Sequence, residues 1–179
     1  MSKKIILIRH AESVWNLENK FAGWADISLT KTGIEESVRT GIILKNNNLI
    51  PKIGFTSIQK RSIDTAKIIL NQMNLGKISL NQDWRLNERH YGKLTGHFRE
   101  NIKWKGGYFD VPPNMKNLDN LNIVNVENYN PEYGESYYMT FLRIYPFWKS
   151  IVPLILDNKL PLICAHKNSL KVIIKHIEG

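Results

Sequence analysis

The chain has 179 residues and a formal net charge of +9 at pH 7; 42% of its residues are hydrophobic and 23% are charged. This composition excludes an intrinsically disordered chain and suffices for a packed core, so we predict a single domain over residues 1–179. The only cysteine, Cys164, excludes an intrachain disulfide and favours a reducing compartment.

The sequence pattern also disfavours two classes of protein. No apolar run approaches the roughly 20 residues of a membrane span, and the first apolar run is too short for a signal peptide. We therefore predict a cytoplasmic protein with no membrane partner. The positive charge is scattered through a chain rich in Asn, Ile and Lys, without zinc-finger spacing or a basic run of five residues. This predicts no nucleic-acid partner and is compatible with a cleft for a small anionic substrate.

Two apolar runs that lead into a histidine mark the first and last predicted strands. Residues 5–8 lead into Arg9 and His10, and residues 160–165 lead into His166. Short apolar runs bounded by polar residues are typical of buried strands. Ligand crevices in open α/β sheets form at the carboxyl ends of the strands, where we expect both histidines.

Helix and strand patterns alternate between these two strands. After the first strand we predict a long loop at 12–26, a helix from Thr30 or Thr32 to 46–48, a strand at 52–57 and a helix at 58–73. Further along we predict a strand at 78–80, loops at 93–130 and a helix at 135–156 that Pro146 kinks or divides. A last helix at 169–177 follows the final strand. The alternation predicts fold class α/β, as a three-layer α/β/α sandwich with a mostly parallel central sheet.

Apolar spacing assigns a core-facing side to the predicted helices. Thr32 and Glu35 have capping-box spacing at the start of the first helix. The residues predicted to face the core are Ile34, Val38, Ile42 and Ile43 in the first helix, Ile63, Ala66, Ile69 and Leu70 in the second, and Met139, Leu142, Phe147, Ile151 and Leu154 in the third.

The residue types at the strand ends suit phosphoryl transfer. A neutral imidazole such as His10 can accept a phosphoryl group, and the neighbouring Arg9 can bind phosphate oxygens through two N–H groups. Arg61 and His166 are candidates for further positive charge around the phosphate, and Glu88 is a candidate general acid or base. Taken singly, each of these residues is more often structural or simply solvated, so the prediction depends on the set.

Several stretches match a known family in the same order along the chain. They are Leu-Ile-Arg-His-Ala-Glu-Ser-Val-Trp-Asn at 7–16, Phe-Ala-Gly-Trp-Ala-Asp-Ile-Ser-Leu-Thr at 21–30, Thr-Ser-Ile-Gln-Lys-Arg at 56–61, Arg-Leu-Asn-Glu-Arg-His-Tyr-Gly at 85–92, Gly-Glu-Ser at 134–136 and Ala-His-Lys-Asn-Ser-Leu at 165–170. Through them the chain resembles, over nearly its whole length, the cofactor-dependent phosphoglycerate mutases of the histidine phosphatase superfamily. The Arg-His pair alone indicates the superfamily, whereas the 87–92 stretch and the Phe-x-Gly-Trp loop indicate the mutase branch.

The resemblance implies a phosphoglycerate mutase-like fold and a role for each site residue. By it, His10 is the phosphohistidine nucleophile and Glu88 the acid–base residue. The implied phosphate pocket comprises Arg9, Asn16, Arg61 and His166. The implied substrate contacts and pocket walls are Ser13, Gly23, Arg89, Tyr91 and Asn168.

The same resemblance implies a reaction and its partners. The family interconverts 3-phosphoglycerate and 2-phosphoglycerate, small phosphorylated carboxylates, in glycolysis and gluconeogenesis. The implied cofactor is 2,3-bisphosphoglycerate, acting as phosphoryl primer, and no metal is implied. Dimers and tetramers are common in the family, so a homo-oligomer is an open expectation.

The chain also departs from the family pattern. The family has glycine at the positions of Ala11 and Lys167, and threonine at Ala22. A Cβ at position 11 would cost about 1 kcal/mol or more if that residue needed a positive φ. Lys167 would either add a phosphate contact or displace the preceding histidine.

A further departure removes charge from the expected substrate site. An arginine pair in the family aligns with Gly106–Gly107, and charge-assisted bonds contribute about 1.5–3 kcal/mol each. Candidate replacements are Arg99, Lys103 and Lys105. The family also has a longer segment after Gly96 and continues for tens of residues beyond position 179, with a tail that helps cover the site.

Three functions therefore remain open from the sequence. The first is a phosphoglycerate mutase of reduced efficiency. The second is a histidine phosphatase acting on small phosphate esters, in which water takes the phosphoryl group. The third is a catalytically silent relative that binds a phosphometabolite or a partner. Only the first two require phosphorylation of His10.

Overall fold

The computed structural model describes residues 3–102, 104, 106–113, 123–129 and 133–179. Within them a four-stranded sheet has the order β1-β4-β2-β3, and every strand pair in it is parallel. The strands are β1 (Ile6–Arg9), β2 (Gly54–Thr56), β3 (Leu80–Gln82) and β4 (Leu162–Ala165). The helices are α1 (Val14–Leu17), α2 (Lys31–Asn46), α3 (Lys60–Gln72), α4 (Tyr137–Leu156) and α5 (Lys167–Glu178). The α/β class and the parallel sheet are confirmed.

The central strand β4 divides the core into two layers. Leu162 and Cys164 pack in one buried cluster with residues of α2 and α3. Ile163 and Ala165 pack in a second cluster with residues of α4 and α5. Successive side chains of a strand point to opposite faces of the sheet, so this alternation places helices on both sides. The predicted three-layer α/β/α sandwich is confirmed.

The predicted core-facing side of α2 is wrong. Ile34, Ile42 and Ile43 are exposed, and the buried residues are small apart from Leu44. They are Gly33, Ser37, Gly41 and Leu44. A Cβ built on Gly33 would lie 2.1 Å from the carbonyl oxygen of Glu12. The backbones approach so closely that only small side chains fit, and an apolar-spacing rule overlooks such a face.

The helix predicted at 135–156 exists, but Pro146 does not divide it. The helix α4 is continuous through Pro146, because a proline removes a single backbone hydrogen bond and Phe147 and Ile151 are buried in the core on the following turns. Leu142 was predicted to face the core and is 51% exposed. The next residue, Arg143, is buried instead.

Several element boundaries differ from the predictions by one or two residues. The third strand lies at 80–82 and not at 78–80. The last helix begins at Lys167, with His166 as its N-cap.

Thr30 caps α2 by accepting a hydrogen bond from the N–H of Gly33, which excludes the capping box predicted from Thr32. The loop predicted at 12–26 contains the one-turn helix α1.

Candidate active site

The carboxyl ends of β1 and β4 open into one cleft with a volume of about 720 Å³. The parallel register pairs Arg9 with Ala165, so the residues that follow them, His10 and His166, are neighbours. Their ring centroids are 5.0 Å apart. The predicted site residues that line the cleft are Arg9, His10, Asn16, Gly23, Arg61, Glu88, Arg89, Tyr91 and Asn168. Ser13 and His166 are fully buried beneath its surface.

The imidazole of His10 is held as a neutral ring with one free nitrogen. Its Nδ1 lies 2.7 Å from the carbonyl oxygen of Ala11, which makes Nδ1 the donor and leaves Nε2 unprotonated. Burial, and next the positive charge of Arg61, lower the pKa of His10 to about 3. A nucleophilic nitrogen is therefore present throughout the neutral pH range.

His166 contributes a buried polar atom without a partner. Its Nε2 lies 2.8 Å from the hydroxyl oxygen of Ser57, and that oxygen already accepts the backbone N–H of Gln59. The hydroxyl is thus free to donate to Nε2, which leaves the ring proton on Nδ1. No acceptor for Nδ1 exists among the residues that the structure describes. Burial and the charge of Arg61 hold the pKa of His166 well below its usual value.

Arg61 is fixed at the cleft by the loop after α1. Its two terminal nitrogens donate to the carbonyl oxygens of Ala25 (2.8 Å) and Gly23 (2.9 Å). Gly23 adopts a φ of +50°, and a Cβ there would lie 3.2 Å from the ring and the backbone nitrogen of Tyr91. Glycine lets this loop present its carbonyls and pack against the cleft wall.

Asn16 is oriented by Ser13. The side-chain oxygen of Asn16 accepts from both the N–H and the hydroxyl of Ser13, at 3.2 and 2.9 Å. Its amide nitrogen remains available as a donor to the cleft. Ser13 is fully buried and is not among the residues that line the cleft, whereas Asn16 is. Arg9, by contrast, is exposed at the cleft.

Glu88 is a buried carboxylate with one engaged oxygen. Its Oε1 accepts from the backbone N–H groups of Arg89 (2.8 Å) and Asn168 (3.2 Å). Within the described part of the chain Oε2 has no hydrogen-bond donor, so it is the oxygen free to exchange a proton. Gln59 bridges this segment to the Gly23 loop, because its amide accepts the Glu88 N–H and donates to the Gly23 carbonyl, both at 2.8 Å.

Arg89, Tyr91 and Asn168 form one wall of the cleft. Asn168 donates to the Tyr91 hydroxyl (2.7 Å) and accepts from the Tyr137 hydroxyl (2.9 Å). Burial, and next the charge of Glu88, raise the pKa of Tyr91 to about 12, so it stays a neutral phenol. The guanidinium of Arg89 lies over the rings of Tyr137 and Trp104, at 4.4 and 4.6 Å from their centroids.

The cleft carries more positive than negative charge. The cations that line it are Arg9, Arg61, Arg89, Arg99, Lys167 and Lys171; the carboxylates are Glu12, Glu36 and Glu88. Over the described ranges, none of these cations forms an ion pair with a carboxylate. Uncompensated cations around a concave surface favour an anionic ligand.

The departures from the family pattern leave the two histidines in place. Ala11 has no positive φ, so its Cβ causes no backbone strain, and it does not line the cleft. Lys167 is exposed, and His166 remains beside His10. Among the candidate replacements for the arginine pair, Arg99 lines the cleft. Lys103 and Lys105 lie outside the described residues.

Side chains at Gly106 and Gly107 would require neighbouring side chains to move. Gly106 has a φ of +64°, and a Cβ there would lie 2.7 Å from the Trp104 ring and 3.1 Å from a terminal nitrogen of Arg89. A Cβ on Gly107 would lie 2.6 Å from a carboxylate oxygen of Asp110. Gly106 and Gly107 themselves therefore add no positive charge beside Arg89.

Sequence reasoning missed the residues that support the site. Ser57 and Gln59 lie inside the matched motif at 56–61. The motif indicated that this stretch matters but assigned no role to either residue. Arg143 donates to the carbonyls of Arg85, Asn87 and Glu88 and pairs with the buried carboxylate of Glu135. Its signal was a lone cation in an otherwise apolar stretch of α4.

Metal-binding clusters and membrane-spanning helices are both absent from the described residues. No group of three or more His, Cys, Asp or Glu side chains there could hold a metal ion. In the same residues, no helix has both the length and the apolar character needed to cross a bilayer.

The buried neutral histidines predict a loss of stability in acid. The pKa of His10 is about 3 in the folded protein and 6.5 in an exposed chain, so between these values the unfolded state binds more protons. Stability should therefore be complete above pH 6.5 and fall below it, by about 1.4 kcal/mol per pH unit for each such histidine. Urea unfolding of the ligand-free protein at pH 7 and pH 5 measures this. His10→Gln should flatten the dependence, and an unchanged slope would contradict the assignment.

Comparison with known proteins agrees with this geometry. A model of the histidine phosphatase superfamily (branch 1) matches residues 5–179. A 2,3-bisphosphoglycerate-dependent phosphoglycerate mutase of Buchnera aphidicola subsp. Cinara cedri is 42% identical over 193 residues, which cover 98% of this chain and 84% of that protein. The protein of the same name from Erythrobacter litoralis is 38% identical, with coverage of 98% and 83%.

Solved structures show the same fold. A mycobacterial glucosyl-3-phosphoglycerate phosphatase in complex with VO3 superimposes with a TM-score of 0.75 at 19% identity, over 98% of this chain and 82% of that one. At this level of identity the likeness bears on the fold alone.

Proposed function

The chain belongs to the histidine phosphatase superfamily and, within it, to the 2,3-bisphosphoglycerate-dependent phosphoglycerate mutases, and we propose that it interconverts 3-phosphoglycerate and 2-phosphoglycerate through a phosphohistidine at His10. The observation that carries the proposal is the free Nε2 of a neutral His10 in a cleft of unpaired cations. We also propose that the protein is cytoplasmic. We propose that it forms a homo-oligomer, and light scattering of the purified protein would test this oligomeric state.

The residues present fit a phosphorylated primer. The Nδ1 of His166 lacks an acceptor beside the nucleophile, and the cleft cations lack carboxylate partners. Phosphate oxygens would satisfy both. When bound, 2,3-bisphosphoglycerate supplies the phosphoryl group that His10 carries, and Arg9, Asn16 and Arg61 are the residues that would hold it.

The residues of the chain divide the chemistry between them. Nε2 of His10 holds the phosphoryl group and gives it to one hydroxyl of the substrate; its N–P bond breaks as the new O–P bond forms. Glu88 Oε2 takes the proton of that hydroxyl. A phosphoryl group on the neighbouring oxygen then passes back to Nε2, and Glu88 returns the proton to the oxygen that it leaves. The positive charge of Arg61 and the Nδ1–H donor of the neutral His166 stabilise the equatorial oxygens during each transfer.

Hydrolysis is the second candidate, and one observation favours it. Gly106 and Gly107 carry no cation where the family has an arginine pair, so the substrate hydroxyl would be held less firmly against phosphohistidine. Water would then compete as acceptor, with Glu88 again taking the proton. In this case His10 would still be phosphorylated, but inorganic phosphate would be released.

Intact-protein mass spectrometry tests the proposed chemistry. We expect the mass to increase by one phosphoryl group on addition of 2,3-bisphosphoglycerate, and to return to the original value when 3-phosphoglycerate is added. The modification should be acid-labile and map to the peptide containing His10. A protein that remains unmodified at saturating primer and releases no inorganic phosphate would overturn both candidate reactions.

Glu88→Gln should lower the transfer rate without preventing binding. The amide keeps the size and accepts the same two backbone N–H groups, but it cannot take a proton. We expect kcat to fall by roughly 100- to 1,000-fold, with KM for 3-phosphoglycerate within a few-fold of the original. Steady-state kinetics measure both, and the exposed Glu100→Gln is the matched control. Retention of full kcat would remove Glu88 from the mechanism.

A further inference from the structure

Two lysines one turn apart on α5 belong to the cleft. Lys167 and Lys171 both line it and are both exposed, and neither has a carboxylate partner among the described residues. Residues four apart lie on the same face of a helix, so both side chains share the side of α5 that faces the cleft. Lys167 is the first residue of α5, directly after the buried His166.

Contacts on the cleft wall position Lys171. Its Nζ lies 4.7 Å from the centroid of the Tyr137 ring, and Arg89 lies 4.4 Å from the same centroid. The Tyr137 hydroxyl in turn donates to Asn168. Through Tyr137, Lys171 is therefore connected to Arg89 and Asn168, which are two of the predicted substrate contacts.

The glycines at 106 and 107 explain why charge from α5 matters. They carry no cation where the family has an arginine pair, and a Cβ on Gly106 would lie 2.7 Å from the Trp104 ring and 3.1 Å from a terminal nitrogen of Arg89. A substrate with a carboxylate and a phosphate needs more than the phosphate pocket beside His10. The two lysines supply positive charge without a carboxylate partner, among the described residues, in the same cleft.

We propose that Lys167 and Lys171 form a second anion subsite, which binds the group of the ligand that is not transferred. This inference rests on the proposed function. The chemistry recognised is a carboxylate or a second phosphate held near a phosphate monoester. The lysines take no part in bond breaking; they add affinity and select ligands that carry an anion beyond the transferred phosphate.

Equilibrium binding separates this subsite from the phosphate pocket. The probes are glycerol 3-phosphate, 3-phosphoglycerate and 2,3-bisphosphoglycerate, measured by calorimetry in a His10→Ala background so that no transfer occurs. The variants are Lys167→Gly, Lys171→Met and the pair. Lys175→Met is the matched control, because Lys175 lies one turn further along α5, over Tyr108 and outside the cleft.

The expected result is a selective loss of affinity. Each variant should weaken binding of 2,3-bisphosphoglycerate by about fivefold and the pair by roughly 20-fold, whereas glycerol 3-phosphate should change by less than about twofold. An equal loss for 3-phosphoglycerate identifies the carboxylate as the bound group; a loss confined to 2,3-bisphosphoglycerate identifies the second phosphate. Lys175→Met should change none of these affinities.

Two outcomes would overturn the subsite. One is an equal loss of affinity for glycerol 3-phosphate, which would show that the lysines act only through a general electrostatic field. The other is no loss of affinity for any ligand. Because binding is measured without turnover, the test is independent of the reaction. A protein that shows the selective loss but does not isomerise phosphoglycerate would retain the subsite and lose the proposed function.

Discussion

Replacement of His10 by alanine is expected to abolish isomerisation, with a fall in kcat of at least about 10⁴-fold. The variant loses the unprotonated Nε2 at the end of β1, the atom that we propose carries the phosphoryl group. His166 cannot substitute, because its Nε2 is engaged by Ser57 and the ring is fully buried. Steady-state turnover of 3-phosphoglycerate measures the effect, and mass spectrometry should find no phosphorylated protein.

A second histidine provides the matched control for this variant. His176 lies near the end of α5 among the rings of Phe141, Tyr145 and Trp148, outside the cleft. His176→Ala should retain kcat within a few-fold. If His10→Ala retained turnover, phosphohistidine chemistry at this site would be refuted, whatever the behaviour of the control.

Replacement of Arg143 by methionine should have the largest effect on stability. Arg143 is buried, pairs with Glu135 and donates to three backbone carbonyls of the segment that carries Glu88. Burial alone would raise the pKa of Glu135, but the charge and hydrogen bonds of Arg143 outweigh it and hold that pKa below its usual value. Arg143→Met leaves this buried carboxylate unpaired, which should cost about 3–5 kcal/mol of unfolding free energy.

Chemical denaturation measures this cost, and a double variant isolates its cause. Arg143→Met combined with Glu135→Gln removes both charges, so part of the lost stability should return. Lys149→Met is the control, because it removes an exposed cation from the same helix. A loss below about 1 kcal/mol for Arg143→Met would show that the pair does not hold the Glu88 segment in place.

The strand-end histidines could be predicted because their signals are local. A short apolar run ending in a polar pair indicates a buried strand and its tip without knowledge of the rest of the fold. The parallel pairing of β1 with β4 then brings His10 and His166 together. Most of the site residues implied by the family resemblance line the same cleft, because the matched motifs lie at strand ends and in adjoining loops.

The errors arose where packing depends on partners far along the chain. The buried side of α2 carries glycine and serine because the backbone of Glu12 and helix α3 approach it closely, a contact that no apolar pattern reports. Arg143 was overlooked because the three backbone carbonyls to which it donates lie more than fifty positions away along the chain. The hydrogen bonds by which the buried Ser13 orients Asn16 were likewise not predicted, and its predicted place among the substrate contacts and pocket walls stays a prediction.

A phosphorus NMR time course tests the central proposal most directly. The purified protein would receive 3-phosphoglycerate with a trace of 2,3-bisphosphoglycerate, and the products would be followed to equilibrium. We predict growth of the 2-phosphoglycerate resonance at the expense of 3-phosphoglycerate, with little inorganic phosphate. Growth of inorganic phosphate instead would contradict the mutase reaction and favour hydrolysis, and an unchanged spectrum would contradict turnover of phosphoglycerate at the His10 site.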